Sequence, residues 1–299
     1  MSSFWLIILS TAQCFNATAQ AGDNDFVAAR KLYTNGLYDS AINFSVYTIL
    51  KKESEPEPRL YRLIGYCYKE LGQPEAGIKF FSAYLVSKRD SSSLLPVFAS
   101  MGELYSRIPR MEDSAIAYYA KSIQLENDET EKRIYFRNII NLYRRKRDYK
   151  NILLWTGSFC KSQLRPSNID FVNWGLAAYR VKNYKLADSI FTVYRRQHPA
   201  EEYGYYWLAR SRAAIDSAMQ SGLAVPVYKS LIAVVAKDST VNISFGHQLE
   251  ALGYVVCYYL KLKNTREAQE YLEKILLLDP NNPDARKYMH SIKENGKRK

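Results

Sequence analysis

The feature that most constrains this chain is an internal repeat of about 34 residues, which returns about seven times between Arg30 and Asp279. In the pattern, a small residue precedes an aromatic or aliphatic residue by three positions, and a tyrosine at a turn and an alanine follow. The clearest copy contains Gly175, Ala178, Tyr184, Ala187, Phe191, Tyr194 and Pro199. A period of this length is typical of stacked helix-turn-helix units, which present surfaces to other molecules and seldom carry out chemistry.

The spacing within each copy is helical. Apolar positions three and four residues apart place one stripe on each helix, and a small residue such as Gly65 or Ala187 lets two stripes approach closely. Polar turns such as Lys182-Asn183-Tyr184 mark the breaks between helices. The fourth copy is degenerate, because Ile140 and Ile152 stand where small residues belong. The pattern predicts an all-α chain of antiparallel helix pairs.

This array resembles the tetratricopeptide repeat (TPR) family over nearly the whole chain. The resemblance implies a right-handed α-solenoid of about seven repeats, with a concave groove and a C-terminal capping helix over about residues 283–294. The stretches 203–210, 222–228 and 278–283 also resemble a C-terminal unit that is common in exported bacterial TPR proteins. Because a solenoid grows by adding neighbouring repeats, we expect one domain over residues 22–299.

The first 21 residues stand outside the repeat. Phe4–Leu9 forms an apolar run that is too short to span a bilayer, and Ala19-Gln20-Ala21 offers a small-x-small cleavage site. Residues 1–21 therefore read as a secretory signal peptide. They predict an exported protein, periplasmic or associated with the outer membrane, with no transmembrane span in the mature chain. The basic n-region is missing, since no Lys or Arg precedes Arg30, so a retained anchor or lipidation at Cys14 are the alternatives.

Three cysteines remain in the mature chain, namely Cys67, Cys160 and Cys257. They are odd in number and lie in repeats two, four and seven, which argues against a disulfide framework. The sequence predicts free thiols that serve as small, buried apolar side chains.

The sequence contains no motif for catalysis. His198, His247 and His290 are isolated from one another, so no local spacing suits a metal site. Phosphate-binding loops, Gly-x-Ser-x-Gly elbows and Cys-x2-Cys pairs do not occur. Acidic pairs such as Glu201-Glu202 fall at helix starts, where carboxylates favour the helix dipole. We expect a non-enzymatic protein with no cofactor, no metal and no small-molecule substrate.

Charge gives the sharpest functional indication, because 42 Lys and Arg against 30 Asp and Glu leave a net charge of +12. In the TPR family, the exposed side of the first helix of each pair lines the groove. The resemblance therefore places in the groove Arg30, Tyr33, Arg59, Arg62, Tyr66, Lys69, Arg107, Arg137, Asn141, Arg144, Arg145, Tyr179, Arg180, Tyr203, Tyr206 and Arg210. Arginines that alternate with tyrosines suit the recognition of peptides and carboxylates.

We expect a protein-interaction scaffold of the bacterial cell envelope that binds an acidic or C-terminal peptide of a partner in this groove. The family's carboxylate clamp is not present, because Arg30 and Tyr66 occupy its two Asn positions. Three alternatives stay open: binding of a polyanion, either acidic polysaccharide or nucleic acid, through the same surface; basic residues that are only solvated helix ends, as over residues 143–150; and an enzyme or an enzyme's accessory repeat.

Overall fold

A computed structural model describes residues 24–51, 57–87, 94–162, 167–237 and 245–297. These residues form helices joined by turns, and no strand occurs among them, so the all-α prediction is confirmed. No helix in this described part is long and apolar enough to cross a membrane. The predicted signal peptide, residues 1–21, lies outside the described residues.

The chain divides into two compact units, Met1–Arg145 and Lys146–Lys299. The first unit contains helical residues 24–34 (α1), Tyr38–Lys51 (α2), Pro58–Glu70 (α3), Pro74–Ser87 (α4), Leu94–Arg107 (α5), Glu112–Leu125 (α6) and Glu129–Arg145 (α7). The second contains Tyr149–Lys161 (α8), Asn168–Arg180 (α9), Tyr184–Gln197 (α10), Glu202–Ile215 (α11), Val225–Lys237 (α12), Phe245–Lys261 (α13), Thr265–Leu278 (α14) and Pro283–Lys297 (α15). Consecutive helices pack against each other within each unit. A single domain over residues 22–299 stays a prediction.

Odd-numbered helices α1 to α13 are the first helices of successive repeats, and we call them A helices; their even-numbered partners are B helices. The short turns from A to B helix within each unit share one geometry, since each contains a residue with φ between 58° and 75°: Gly36, Gly72, Arg110, Lys182 and Lys263. In the fifth repeat the N–H of Asn183 donates to the carbonyl of Ala178 at 2.9 Å. This is the hydrogen bond of a Schellman helix end, and the same bond joins Gln73 to Tyr68 in the second repeat.

Small residues lie where A and B helices nearly touch. A Cβ built on Gly65 would stand 2.7 Å from the ring of Phe81, and one on Gly175 would stand 2.4 Å from the ring of Phe191. Both rings are fully buried. Ala187, on the facing B helix of the fifth repeat, is also fully buried. The predicted close approach at small residues is thus confirmed, and only a residue without a side chain fits at the two glycines.

The turn between α11 and α12 is longer than the others and is organised around one carboxylate. Asp216 accepts hydrogen bonds from the backbone N–H of Gln220 (2.8 Å), Ser221 (3.1 Å) and Leu223 (3.2 Å). Lys261 of α13 donates to carbonyl groups of the same turn. Partial desolvation opposes the ionised form of Asp216, but the N–H donors outweigh it and lower the pKa of this carboxyl to about 2 from 3.8.

We expect Gly65→Ala to lower the free energy of unfolding by about 1–3 kcal/mol, because the new methyl group would overlap the Phe81 ring. Gly253→Ala in α13 is the matched control, since a Cβ there meets nothing within 4 Å. This control should stabilise the protein by about 0.5–1 kcal/mol, because alanine favours a helix over glycine. Urea unfolding measures both. Equal midpoints for the two variants would contradict the assigned helix contacts.

We expect the stabilising effect of Asp216 to disappear in acid. Its folded pKa lies below its unfolded pKa, so the folded state binds fewer protons and the contribution is present above about pH 4. It is lost as the pH falls through about 2. The difference in unfolding free energy between the wild type and Asp216→Ala should therefore shrink from pH 5 downwards. A difference that stays constant over this range would show that the hydrogen bonds to the carboxylate contribute nothing.

Candidate protein-binding surface

A helices of neighbouring repeats lie side by side, since α3 contacts α5 and α9 contacts α11. We call the outward side of the A helices of each unit the A face of that unit. The predicted groove residues of the first unit are Arg30, Tyr33, Arg59, Arg62, Tyr66, Lys69, Arg107, Arg137, Asn141, Arg144 and Arg145. Those of the second unit are Tyr179, Arg180, Tyr203, Tyr206 and Arg210.

A carboxylate that the sequence analysis missed holds two of the predicted cations in the first unit. Glu103 of α5 pairs with Lys69 of α3 at 2.7 Å and with Arg107 at 2.5 Å. All three side chains are partly exposed, so the pairs add little to stability. They do lower the positive charge of this part of the A face. Glu103 directly follows Gly102, just as the predicted groove residue Tyr66 follows Gly65. Aligning the two repeats would therefore have placed Glu103 on the A face.

Two arginines of α3 lie against aromatic rings. Arg59 pairs with Glu57 at 2.7 Å, and its guanidinium lies 4.7 Å from the ring centroid of Phe26. The guanidinium of Arg62 lies 5.5 Å from the ring centroid of Tyr84. These cation–π contacts fix both side chains while leaving them in partial contact with solvent.

The predicted tyrosines of the first unit take part in helix packing. The ring of Tyr66 meets the ring of Phe81 edge-on at 5.0 Å, and burial raises the pKa of Tyr66 to about 12. Tyr33 lies 5.5 Å from Tyr38, and burial followed by the nearby Glu70 carboxylate raises its pKa. Both tyrosines therefore stabilise the repeats as well as lying on the A helices.

Helix α7 carries a cluster of exposed basic residues, Arg137, Arg144 and Arg145, and Arg30 is exposed on α1. Arg144 donates to the amide oxygen of Asn141 at 3.1 Å. Arg145 reaches the backbone carbonyl of Ser106 on α5 at 3.5 Å. This helix thus presents guanidinium groups beside an amide, which suits contact with carboxylates and peptide carbonyls.

In the second unit, Arg210 of α11 is held by neighbours on several sides. Its Nε lies 3.3 Å from Oε1 of Glu250, and its Nη1 donates to the hydroxyl of Tyr206 at 3.1 Å. Its guanidinium lies 5.2 to 5.8 Å from the ring centroids of Tyr179, Tyr206 and Trp207. The side chain remains 36% exposed. A guanidinium has five N–H donors, and these contacts use Nε and Nη1, so Nη2 has no acceptor in the described part of the chain.

Glu250 of α13 is the centre of this network, and the sequence analysis missed it. It accepts hydrogen bonds from the hydroxyls of Tyr206 (2.8 Å) and Tyr228 (3.0 Å). Burial and then the Glu250 carboxylate raise the pKa of Tyr206 to about 12 and raise that of Tyr228 as well. Tyr206, predicted to line the groove, is only 5% exposed, because its ring packs inward and its hydroxyl is used by Glu250 and Arg210.

His247 of α13 lies beside the same network. Its Nδ1 is 2.6 Å from Oε1 of Glu202, and its ring stacks on Tyr206 with the centroids 3.6 Å apart. Tyr203, which is 46% exposed, meets the imidazole edge-on, with the ring centroids 6.1 Å apart. Glu202, which the sequence placed at a helix start, therefore also contacts His247, because α11 and α13 bring together residues far apart in sequence.

The two remaining predicted groove residues of the second unit, Tyr179 and Arg180, lie near the C-terminal end of α9 and contact aromatic rings. Tyr179 meets Tyr184 and Trp207 edge-on, with the centroids 5.2 Å apart in each case. Arg180 is exposed and lies 5.8 Å from the ring centroid of Tyr149. Tyr179 therefore supports the cluster around Arg210, and Arg180 extends the basic surface.

The cysteines are free, but the prediction that all three are buried is wrong for one. Cys67 is buried and Cys160 is half-buried, and burial raises the pKa of each thiol to about 12. Cys257 is exposed, because it lines an open cleft between α13 and α15. Among the described residues, no group of His, Cys, Asp and Glu side chains could hold a metal ion.

We expect the protein to lose stability as the pH rises from about 10 to about 12. Tyr66 and Tyr206 have folded pKa values of about 12 against an ordinary 10.0, so the folded state keeps protons that the unfolded state has lost. Unfolding free energies measured by urea titration at several alkaline pH values test this. Tyr66→Phe should make the decline shallower, and Tyr203→Phe, at an exposed ring, should not. An equal slope in both variants would contradict the role of the buried hydroxyl.

Comparison with known proteins agrees with the repeat assignment. Residues 255–282 match the family described as Tetratricopeptide repeat, whereas no curated protein is significantly similar to the chain. The C-terminal part of a TPR repeat-containing protein from Cytophaga hutchinsonii is 25% identical, with a TM-score of 0.53, and the match covers 88% of this chain and 98% of that one.

A second solved structure, that of Naa15/Naa10 bound to HypK-THB, has a similar fold, with a TM-score of 0.60 at 16% identity. The match covers 91% of this chain but only 39% of that one. The repeated helix end, the small residues at the helix contacts and the family match in α13 and α14 agree with one another. Residues 255–282 therefore match a tetratricopeptide repeat, and the chain shares the fold of the TPR repeat-containing protein from Cytophaga hutchinsonii.

Proposed function

We propose that this protein is a non-catalytic scaffold whose A faces bind an acidic segment or a C-terminal carboxylate of a partner protein. The arrangement around Arg210 carries the proposal. Its guanidinium is fixed by Glu250 and Tyr206 and surrounded by three aromatic rings, yet it stays partly exposed. Arg, Tyr and Trp are the residues that contribute most at protein interfaces.

Preorganisation explains why Arg210 suits this role. A long side chain that is already fixed loses little conformational entropy when a partner binds. The planar guanidinium can still use Nη2 to donate to a carboxylate or a peptide carbonyl. The rings of Tyr179 and Trp207 provide flat apolar surfaces beside the donor. A peptide with an acidic group next to an apolar side chain would match both features.

Specific arginines favour a protein partner over a diffuse polyanion. Glu103 and Glu250 neutralise part of the positive charge of the A faces, so the net charge of +12 overstates their local potential. The exposed guanidinium groups on α7 and Arg210 then act as separate contacts with defined geometry. The signal-like residues 1–21 support export of the protein, and we place the partner in the bacterial cell envelope for that reason.

The first test is the partner's affinity for a variant that keeps the charge of Arg210 but removes its planar fork. Crosslinking and mass spectrometry in the native cell identify the partner, and titration with the purified partner then gives Kd. We expect Arg210→Lys to weaken binding about tenfold, because lysine cannot donate in two directions from one plane. Arg196→Lys, at an exposed position on the B helix α10, is the matched control. Unchanged Kd for both variants would exclude Arg210 from the interface.

The second test reverses charge on the A face of the first unit. We expect Arg137→Glu with Arg144→Glu to weaken binding at least about tenfold, because like charges would then face an acidic partner. The control must reverse two charges on B helices without disturbing other contacts. Lys121 and Lys161 do not qualify, because their ammonium groups lie over the rings of Tyr118 and Trp174. The matched control is Lys79→Glu with Lys150→Glu, at exposed positions on B helices. It makes the same change in charge and should leave Kd nearly unchanged.

Salt dependence separates the two functional classes. If both double variants weaken binding equally and added salt abolishes the remainder, the basic surface acts as a diffuse field and a polyanion is the ligand. If neither pair changes binding, the partner does not contact the A face of the first unit.

A further inference from the structure

We propose that the second unit also contains a binding site for a single-chain fatty acid, in a cavity between α12, α13 and α14. The lining of this cavity includes none of Arg210, Tyr206 and Glu250, so the site goes beyond the proposed scaffold function. The cavity has a volume of about 650 Å³, which falls within the range of pockets that hold small molecules.

The walls of the cavity are mainly aliphatic. Ile232 and Ala233 of α12, Leu252 of α13, and Leu277 and Leu278 of α14 line it. Leu277 is 84% exposed, so an occupant that covers it would remove a large apolar surface from water. An acyl chain has no hydrogen-bonding groups and suits such walls. The lining also contains one amide side chain, that of Gln248, so most N–H and C=O groups of a peptide backbone placed here would lack partners.

Two ammonium groups of the cavity lining lie near the ring of Tyr271. Nζ of Lys229 lies 5.5 Å from the ring centroid of Tyr271, and Nζ of Lys274 lies 4.5 Å from it. In the described part of the chain, neither lysine forms an ion pair with a carboxylate. Two ammonium groups in one lining without a paired carboxylate favour a bound anion. The head group that fits is therefore anionic.

Lys229 is already positioned for such a head group. Its Nζ donates to the hydroxyl of Tyr259 at 2.7 Å and lies 5.0 Å from that ring's centroid. The hydrogen bond with Tyr259 raises the pKa of Lys229, which keeps the ammonium charged. An ammonium has three donors, so contacts with the tyrosine hydroxyls still leave a donor for a carboxylate. The cation and the apolar walls thus match the two ends of a fatty acid.

Fluorescence titration of the full-length protein with cis-parinaric acid tests the proposal. We expect saturable binding with one site per chain. Hexadecanoate should displace the probe about tenfold better than hexadecanol, because only the carboxylate forms charge-assisted hydrogen bonds with the lysines. Absence of saturable binding, or equal displacement by the acid and the alcohol, would overturn the proposal.

Two variants locate the site. Ala233→Trp places a large ring in the cavity from an exposed position and should abolish probe binding. Lys229→Met with Lys274→Met keeps the apolar stems but removes both charges, and should weaken hexadecanoate about tenfold while leaving hexadecanol unchanged. Lys287→Met with Lys293→Met, both exposed on α15, is the matched control. Probe binding that survives unchanged in both cavity variants, each with a wild-type circular dichroism melt, would place the ligand elsewhere and refute the assignment.

Discussion

The contact between an aromatic ring of a B helix and a glycine of its A helix is the constraint on which the repeats depend. At Gly65 and Gly175, the rings of Phe81 and Phe191 occupy space that any Cβ would need. The two backbones can therefore approach closely only in one register. Once that register is fixed, helical periodicity decides which side chains of the A helix face outward. The contact between the ring and the glycine therefore determines where Arg62 and the other surface residues lie, although these residues take no part in it.

The features that the sequence predicted well are local ones. The period, the small residues and the turn at Lys182 depend on neighbours within one helix pair, and such patterns are visible along the chain. The position of Glu103 on the A face could also have been predicted from the sequence, because Glu103 directly follows Gly102 and stands four residues before Arg107. The contacts of His247 and Glu250 could not have been predicted in this way, because they join α13 to α11, which belongs to a different repeat. The longer turn between α11 and α12 also shifts the spacing there, so no fixed period pairs these residues.

Net charge is a weak guide to the local field of a repeat surface. The chain carries +12, yet each A face contains a carboxylate, Glu103 or Glu250, that contacts a predicted cation directly. Exposed charges separated by more than about 8–10 Å are largely screened at physiological salt, so only close neighbours decide what a bound group experiences. Recognition at such a surface depends on the geometry of single guanidinium groups more than on the total charge.

The many tyrosines connect the core to these charges. Tyr206 and Tyr228 bury their rings and present their hydroxyls to one carboxylate, Glu250. Tyr259 instead accepts a hydrogen bond from the ammonium of Lys229. A phenol can do both because its hydroxyl is donor and acceptor while its ring is apolar. Phenylalanine at these positions would pack as well but would leave Glu250 and Lys229 without those partners. The choice of tyrosine over phenylalanine in the core therefore determines where fixed charges of either sign can lie on the second unit.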